Sequence, residues 1–168
     1  MRSIEPFAKS SPTLEVCCVI VRHRKENLKK CSLSGLEGRS DLRFFRYPDC
    51  LSPGVLPSLE GYILLDMEGD VLTEKDTAPL VLLDATWKYA SAMRSRIPQL
   101  SECVSRRLPE GWVTAYPRYQ TGCMDAARGL ASVEALYAAY VVTGRSPEGL
   151  LDRYYWKENF LTRNLRHD

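Results

Sequence analysis

The stretch Pro79–Met93, PLVLLDATWKYASAM, decides how the rest of this 168-residue chain is read. Leu80, Val81, Leu82 and Leu83 form a short, unbroken apolar run that stops at Asp84. A strand that is apolar on both faces belongs in a parallel sheet covered by helices. From Thr86 the period changes: Trp87, Ala90 and Met93 recur at helical spacing, and Pro98 prevents the helix from running on. Asp84 therefore stands where a central strand hands over to a helix, the edge at which open α/β sheets bind ligands. Two readings stay open here. Asp84 can be a simple N-cap, worth about 1 kcal/mol, with Trp87 as ordinary core; or both can face a ligand.

Working outward, Leu14–Val21 (LEVCCVIV), Leu42–Tyr47 (LRFFRY) and Gly61–Asp66 (GYILLD) read as further strands, and Trp112–Tyr116 (WVTAY) as another, ended by Pro117. Pro48–Pro57 is a proline-punctuated loop, and the segment from Pro98 to Arg107 reads as short helix or irregular chain. In Ser132–Thr143 the residues Val133, Leu136, Tyr137, Tyr140 and Val141 follow one helical stripe, with Ser132 as cap and Gly144 at the C′ position. Ser146-Pro147 offers an N-cap and N1 proline for a last helix, with Leu150, Leu151, Tyr154, Leu161 and Leu165 on its buried face. The fold class is α/β.

Composition excludes several classes. Hydrophobic residues at 45% and charged residues at 26% suit a globular protein able to bury its own core. No apolar run approaches the roughly 18 residues of a membrane span, and MRSIEPFAKSSP lacks the apolar centre of a signal peptide. A cytoplasmic location without membrane attachment is expected, and a monomer. The six cysteines include no CxxC pair, and the two histidines, His23 and His167, lie near opposite ends, so no metal site is expected. Net charge is only +2, but it is unevenly spread. Arg22–Lys30 carries five Lys/Arg against Glu26 alone, whereas Glu60–Asp76 gathers six acids. One-sided basic charge suits a phosphate-rich partner, although a solvated loop has the same composition. The Ser- and Gly-rich segment Lys29–Ser40 can turn backbone N–H groups toward an anion, but it lacks P-loop or dinucleotide spacing.

Five blocks, DATWKYA, RRLP, TAYP, LASVEALYAA and WKENFLTRN, stand in an order and spacing that resemble the small-subunit rRNA aminocarboxypropyltransferases. That family is itself similar to SPOUT-class methyltransferases and, more distantly, to DTW-domain tRNA aminocarboxypropyltransferases. The resemblance runs from about Lys29 to Asn164 and is thinner before Pro79. It departs at Thr114-Ala115-Tyr116-Pro117, where the family usually has A-A-N-P. It implies a SPOUT-like α/β fold with a C-terminal trefoil knot, residues 1–78 forming a smaller N-terminal α/β region and 79–168 the SPOUT-like part. It also implies transfer of the 3-amino-3-carboxypropyl group from S-adenosylmethionine to a uridine-type base of small-subunit rRNA, leaving methylthioadenosine. Transfer to tRNA, RNA methylation, and non-catalytic RNA binding in ribosome assembly are the alternatives.

The same resemblance assigns roles. Leu51 and Pro53 would lie beside the adenine, Leu83 would offer its carbonyl to the ribose, and Trp87 and Ala90 would flank the sulfonium. Trp112 would meet the adenine edge through its backbone, Leu130 and Ala135 would close the pocket, and the backbone of Ser32 would hold the cofactor carboxylate. Lys30 and Lys88 match basic positions facing RNA, and Lys29 and Arg106 cluster with them. The chemistry of the residues agrees. A tryptophan face attracts a cation, and alanine at i+3 keeps the same helix face open. Asp84 is placed to accept the proton that a uracil ring nitrogen must lose.

Overall fold

The computed structural model describes residues 16–28, 31–117 and 129–164. Lys29, Lys30, Cys123 and His167 lie outside them, as does the start of the first expected strand. Five strands form one sheet, in which every pairing is parallel: β1 (Cys18–His23), β2 (Leu42–Tyr47), β3 (Ile63–Val71), β4 (Leu80–Asp84) and β5 (Val104–Arg107). Their spatial order is β2-β1-β4-β3-β5. Strands from both sides of residue 78 interleave in it, since β3 sits between β4 and β5. The apolar run of β4 is buried as expected, with Leu80 and Val81 at 0% exposure.

The alternation of each strand sends side chains to two cores. Cys18, Ile20, Leu80, Leu82 and Ile63 pack under α2 (Ser132–Val142) and α3 (Lys157–Arg163). Val19, Val21, Val81 and Leu64 pack on the other face with Met93 of α1 (Trp87–Arg96) and with Ile97 and Leu100. α2 is enclosed on nearly every side, because Ala138 and Ala139 are buried as fully as Val133 and Leu136. Its C-terminus closes as Gly144 allowed: the Gly144 and Arg145 N–H groups donate to Val141 and Tyr140, with Gly144 at φ +75°.

Three expected elements differ. A short helix does follow Pro98, over Pro98–Glu102, but residues 104–107 after it are a strand, because β3 runs on to Val71 and offers them a ladder. The pairing skips residues 66–69, and the turn is tight: a Cβ at Gly69 would lie 2.5 Å from the Ser105 carbonyl oxygen. Trp112–Tyr116 is not a strand. The Asn164 carboxamide binds both the N–H and the carbonyl of Val113, at 2.8 and 2.9 Å, standing in for a neighbouring strand. The last helix begins at Lys157 rather than after Ser146-Pro147. Residues 147–156 instead fold into turns, with Gly149 at φ +83°, and still bury Leu150, Leu151 and Tyr154.

Candidate functional site

β1 and β4 are adjacent, yet from β1 the chain goes out to β2 and from β4 it goes by way of α1 to β5, at the opposite edge. Such a reversal opens a crevice beyond the carboxyl ends of the two strands. Two residues of opposite charge stand in register at this end of the strands, Arg22, the last but one of β1, and Asp84, the last of β4. Arg22 Nε donates to Asp84 Oδ2 at 2.9 Å. Cys31 Sγ donates to the same oxygen at 3.1 Å, and Ser132 Oγ donates to Oδ1 at 2.8 Å. Asp84 is 2% exposed. One carboxylate thus joins two strands, the loop after β1 and the first turn of α2.

This settles the structural alternatives for the opening stretch. Thr86, not Asp84, is the N-cap of α1, and no side chain caps it. Trp87 is not core, being 58% exposed. Ser132 is not the cap of α2 either, because its hydroxyl is turned to Asp84. The N-cap is Ala131, whose N–H donates to Glu134 Oε1 at 2.7 Å.

The candidate residues divide between the two faces of the sheet. On the α2 face, Ser32 Oγ accepts the Val133 N–H at 3.1 Å, so the loop after β1 rests on the N-terminus of α2. Leu130 and Ala135 are half-buried against the same core. The Trp112 side chain is in that core, stacked on Phe160 at 6.1 Å and edge-on to Tyr137 at 6.4 Å. The backbone after Trp112 is led past the first turn of α2, where Glu134 accepts from Thr114 Oγ1 at 2.6 Å and the Ala115 N–H at 2.8 Å. On the α1 face, Leu83 and Ala90 are half-buried, Leu51 and Pro53 are exposed after β2, and Lys88 is exposed beside Trp87. Arg106 stands apart from both groups on β5, where its Nε meets Asp76 at 3.3 Å.

His23, at the end of β1, faces α1. Its ring stacks on Tyr89 at 4.2 Å and on Tyr47 at 5.4 Å. Burial, then the charges of Arg24 and Lys25, lower its pKa, which favours the neutral ring. Opposite shifts hold the α2 side. Burial, then the Asp84 charge, pushes the Cys31 thiol up to about 12, so it is a neutral donor. Burial opposes the Arg22 charge, but its bond to Asp84 and the surrounding groups outweigh it and raise its pKa. Glu26, Cys31 and Asp84 bring ligand atoms within 4.8 Å of one another. A protonated thiol and a carboxylate already bound to a guanidinium make that a poor cation site.

Arg22, Cys31, Glu37 and Ser132 were not singled out from the sequence. A signal existed for one of them: the first and the central apolar runs each end in a charge, Arg22 and Asp84, and neighbouring strands could pair them. A hollow of about 610 Å³ lies at the other end of the strands, beside Cys17, Asp41, Arg39 and Arg145. Both arginines are engaged there, Arg39 with Asp41 and the Glu148 carbonyl, Arg145 with Thr143 and the Ala78 carbonyl. There Asp41 is bonded by Arg39 and by the Tyr140 hydroxyl, but the hollow lies away from the carboxyl ends of the strands and from Trp87.

No protein-family model matches this sequence, and no curated protein matches it. Among solved structures, the chain is similar to the SAM-dependent rRNA:acp-transferase Tsr3 from Vulcanisaeta distributa, with a TM-score of 0.67. The match covers 90% of this chain and 80% of that one, at 24% identity. The likeness is one of fold. In Tsr3 a fold of this kind serves a SAM-dependent transfer to rRNA. Among the described residues no helix is long and apolar enough to cross a membrane.

Proposed function

We propose that this chain transfers the 3-amino-3-carboxypropyl group of S-adenosylmethionine to a ring nitrogen of a uridine-type base in small-subunit rRNA, in ribosome biogenesis. The observation that carries the reading is Trp87, an indole left 58% exposed just past the central strand of a fold shared with an rRNA acp-transferase. Burying an indole is strongly favourable, so leaving one open at a ligand-binding edge suits a cation, which its face attracts by up to about 2 kcal/mol when desolvated. The other residues fit the cofactor as well. Ala90 lies one turn on from Trp87, and the backbone N–H of Ser32, whose hydroxyl rests on the first turn of α2, holds the cofactor carboxylate in this reading. In this reading Leu51 and Pro53 flank the adenine, and Leu83 and the backbone at Trp112 meet the ribose and adenine edge. Leu130 and Ala135 close the pocket.

When bound, S-adenosylmethionine supplies a carbon made electrophilic by its sulfonium, and methylthioadenosine remains after the transfer. The residues of this chain align donor and acceptor and take up the proton of the ring nitrogen. Of the two Asp84 oxygens, Oδ2 is held by Arg22 and Cys31, whereas among the described residues Oδ1 accepts from the neutral Ser132 hydroxyl. Oδ1 is therefore the atom proposed as base, freed when that hydroxyl turns away. The proposal includes the SPOUT-like arrangement with its C-terminal knot, in which residues 1–78 and 79–168 both line the pocket. It also includes a cytoplasmic, monomeric enzyme that meets RNA through Lys29, Lys30 and Lys88. It is supported by the parallel sheet and by the passage of the Thr114–Tyr116 chain along the first turn of α2.

Transfer of label to RNA tests the reading. Carboxyl-labelled S-adenosylmethionine should mark small-subunit rRNA, and methyl-labelled cofactor should not. Methyl label in RNA would indicate a methyltransferase, and label confined to tRNA would move the substrate. Binding of RNA and cofactor with no transfer would indicate an assembly factor.

A further inference from the structure

We infer that Arg22 is a positioning residue, which shapes the cofactor pocket by fixing the loop Cys31–Glu37 against the sheet edge; the inference rests on the function just proposed. Its three guanidinium nitrogens go to three separate places. Nε binds Asp84 at the end of β4, Nη1 binds Glu37 Oε1 at 3.2 Å, and Nη2 reaches Cys31 Sγ at 3.7 Å. The planar group lies over the Phe44 ring, 4.9 Å from its centroid, so β2 limits its freedom from one side. The first and last residues of the loop are thus held by one side chain.

The loop is organised around that hold. The second oxygen of Glu37 accepts the Gly35 N–H at 2.8 Å, closing a turn in which Gly35 has φ +94°. A Cβ at Gly35 would meet the Arg153 side chain at 2.3 Å, so the segment before α3 presses on the turn from outside. Between the held ends, Ser32 is bonded to the first turn of α2. A lysine at position 22 could keep one ionic contact but not the planar fork that reaches three partners. Arg22 is 62 residues from Asp84, and its guanidinium bonds Asp84, Glu37 and Cys31, so it acts through Ser32 and Asp84 rather than on the substrate.

The Glu37 carboxylate is the accessible end of this arrangement, its side chain 44% exposed against 11% for Arg22. Glu37→Gln keeps the Gly35 bond and removes the charge that faces Arg22. It should leave the melting temperature in place, raise the Kd and KM for S-adenosylmethionine about two- to fivefold, the scale of a half-exposed ion pair, and spare kcat at saturating cofactor. Arg22→Lys should raise KM by roughly tenfold, since two of three bonds go, and should also lower kcat, because the Asp84 carboxylate loses part of its hold. A purely structural role would lower the melting temperature of both variants and leave KM unchanged in the folded fraction. Calorimetry and initial rates with the full chain read these quantities. A wild-type chain that does not bind S-adenosylmethionine overturns the function itself. A wild type that binds it, with Glu37→Gln binding equally well, overturns only the clamp.

Discussion

Asp84 turns toward α2 and Trp87 toward solvent, and these orientations set what each substitution does. Asp84→Asn keeps the shape but removes the buried charge beside Arg22, leaving a guanidinium only 11% exposed with the half-exposed Glu37 as its remaining counter-ion. Breaking a buried pair costs about 3–5 kcal/mol when the remaining charge is left unpaired, so with Glu37 in place a loss of about 1–3 kcal/mol is expected. Asparagine and aspartate are equal as helix caps, so a cap reading would expect no loss. Chemical denaturation of the mutant should show this destabilisation, along with loss of transfer, and an unchanged midpoint would mean that the Arg22 pair does not form in solution. Trp87→Ala should do the reverse. An exposed side chain changes stability by within about 0.5 kcal/mol, whereas cofactor affinity should fall by at least about 1 kcal/mol. Titration with S-adenosylmethionine measures it, and equal affinity would remove the cofactor from this helix.

At the scale of elements, periodicity told strand from helix wherever burial decided the matter. LVLLD, LRFFRY and the 132–142 stripe are β4, β2 and α2 because apolar spacing has one solution in each. The failures share a different cause: side chains from far away supply the hydrogen bonds. WVTAY has the composition of a strand, but Asn164 and Glu134 take its backbone groups before another strand can. VSRR has little strand character and is one because β3 extends past it. In the candidate site, Asp84 and Trp87 were legible as the end of one period and the start of another. The guanidinium 62 residues upstream was not, since nothing local to Arg22 names its partner. Glu134 shows how far such bonds reach. It is fully buried and accepts from Ala131, Thr114 and Ala115. Glu134→Ala would strand those donors, each at about 1–3 kcal/mol. A melting-temperature drop of at least about 6 °C is expected for a chain of this size, and calorimetry would show it. A smaller change would mean that water replaces the carboxylate.

Across the whole molecule, charge is divided between the two edges of the sheet. Arg24, Lys25, Arg43, Arg46 and Lys88 are exposed around β1, β2 and the start of α1, while Glu68 and Asp70 on the second half of β3 and Glu74 just after it are exposed. Of the basic residues near β5, Arg94 is paired with Asp66 and Arg106 with Asp76. A polyanion is attracted to the first edge and repelled by the second, so under the proposed function RNA reaches the crevice from the β1–β2 side. Lys88 and Arg106, grouped together in the sequence, should then behave differently. Each phosphate contact contributes about 0.7–0.9 to the slope of log affinity against log salt, depending on whether the RNA is single- or double-stranded. Lys88→Ala should flatten that slope by nearly one unit and weaken binding at low salt. Arg106→Ala should leave it unchanged, because its guanidinium gains little from a phosphate while it holds Asp76. Filter binding over a salt series with a small-subunit rRNA fragment separates the two. Equal flattening by both variants would mean that RNA spans the sheet to its acidic edge and displaces the Asp76 pair.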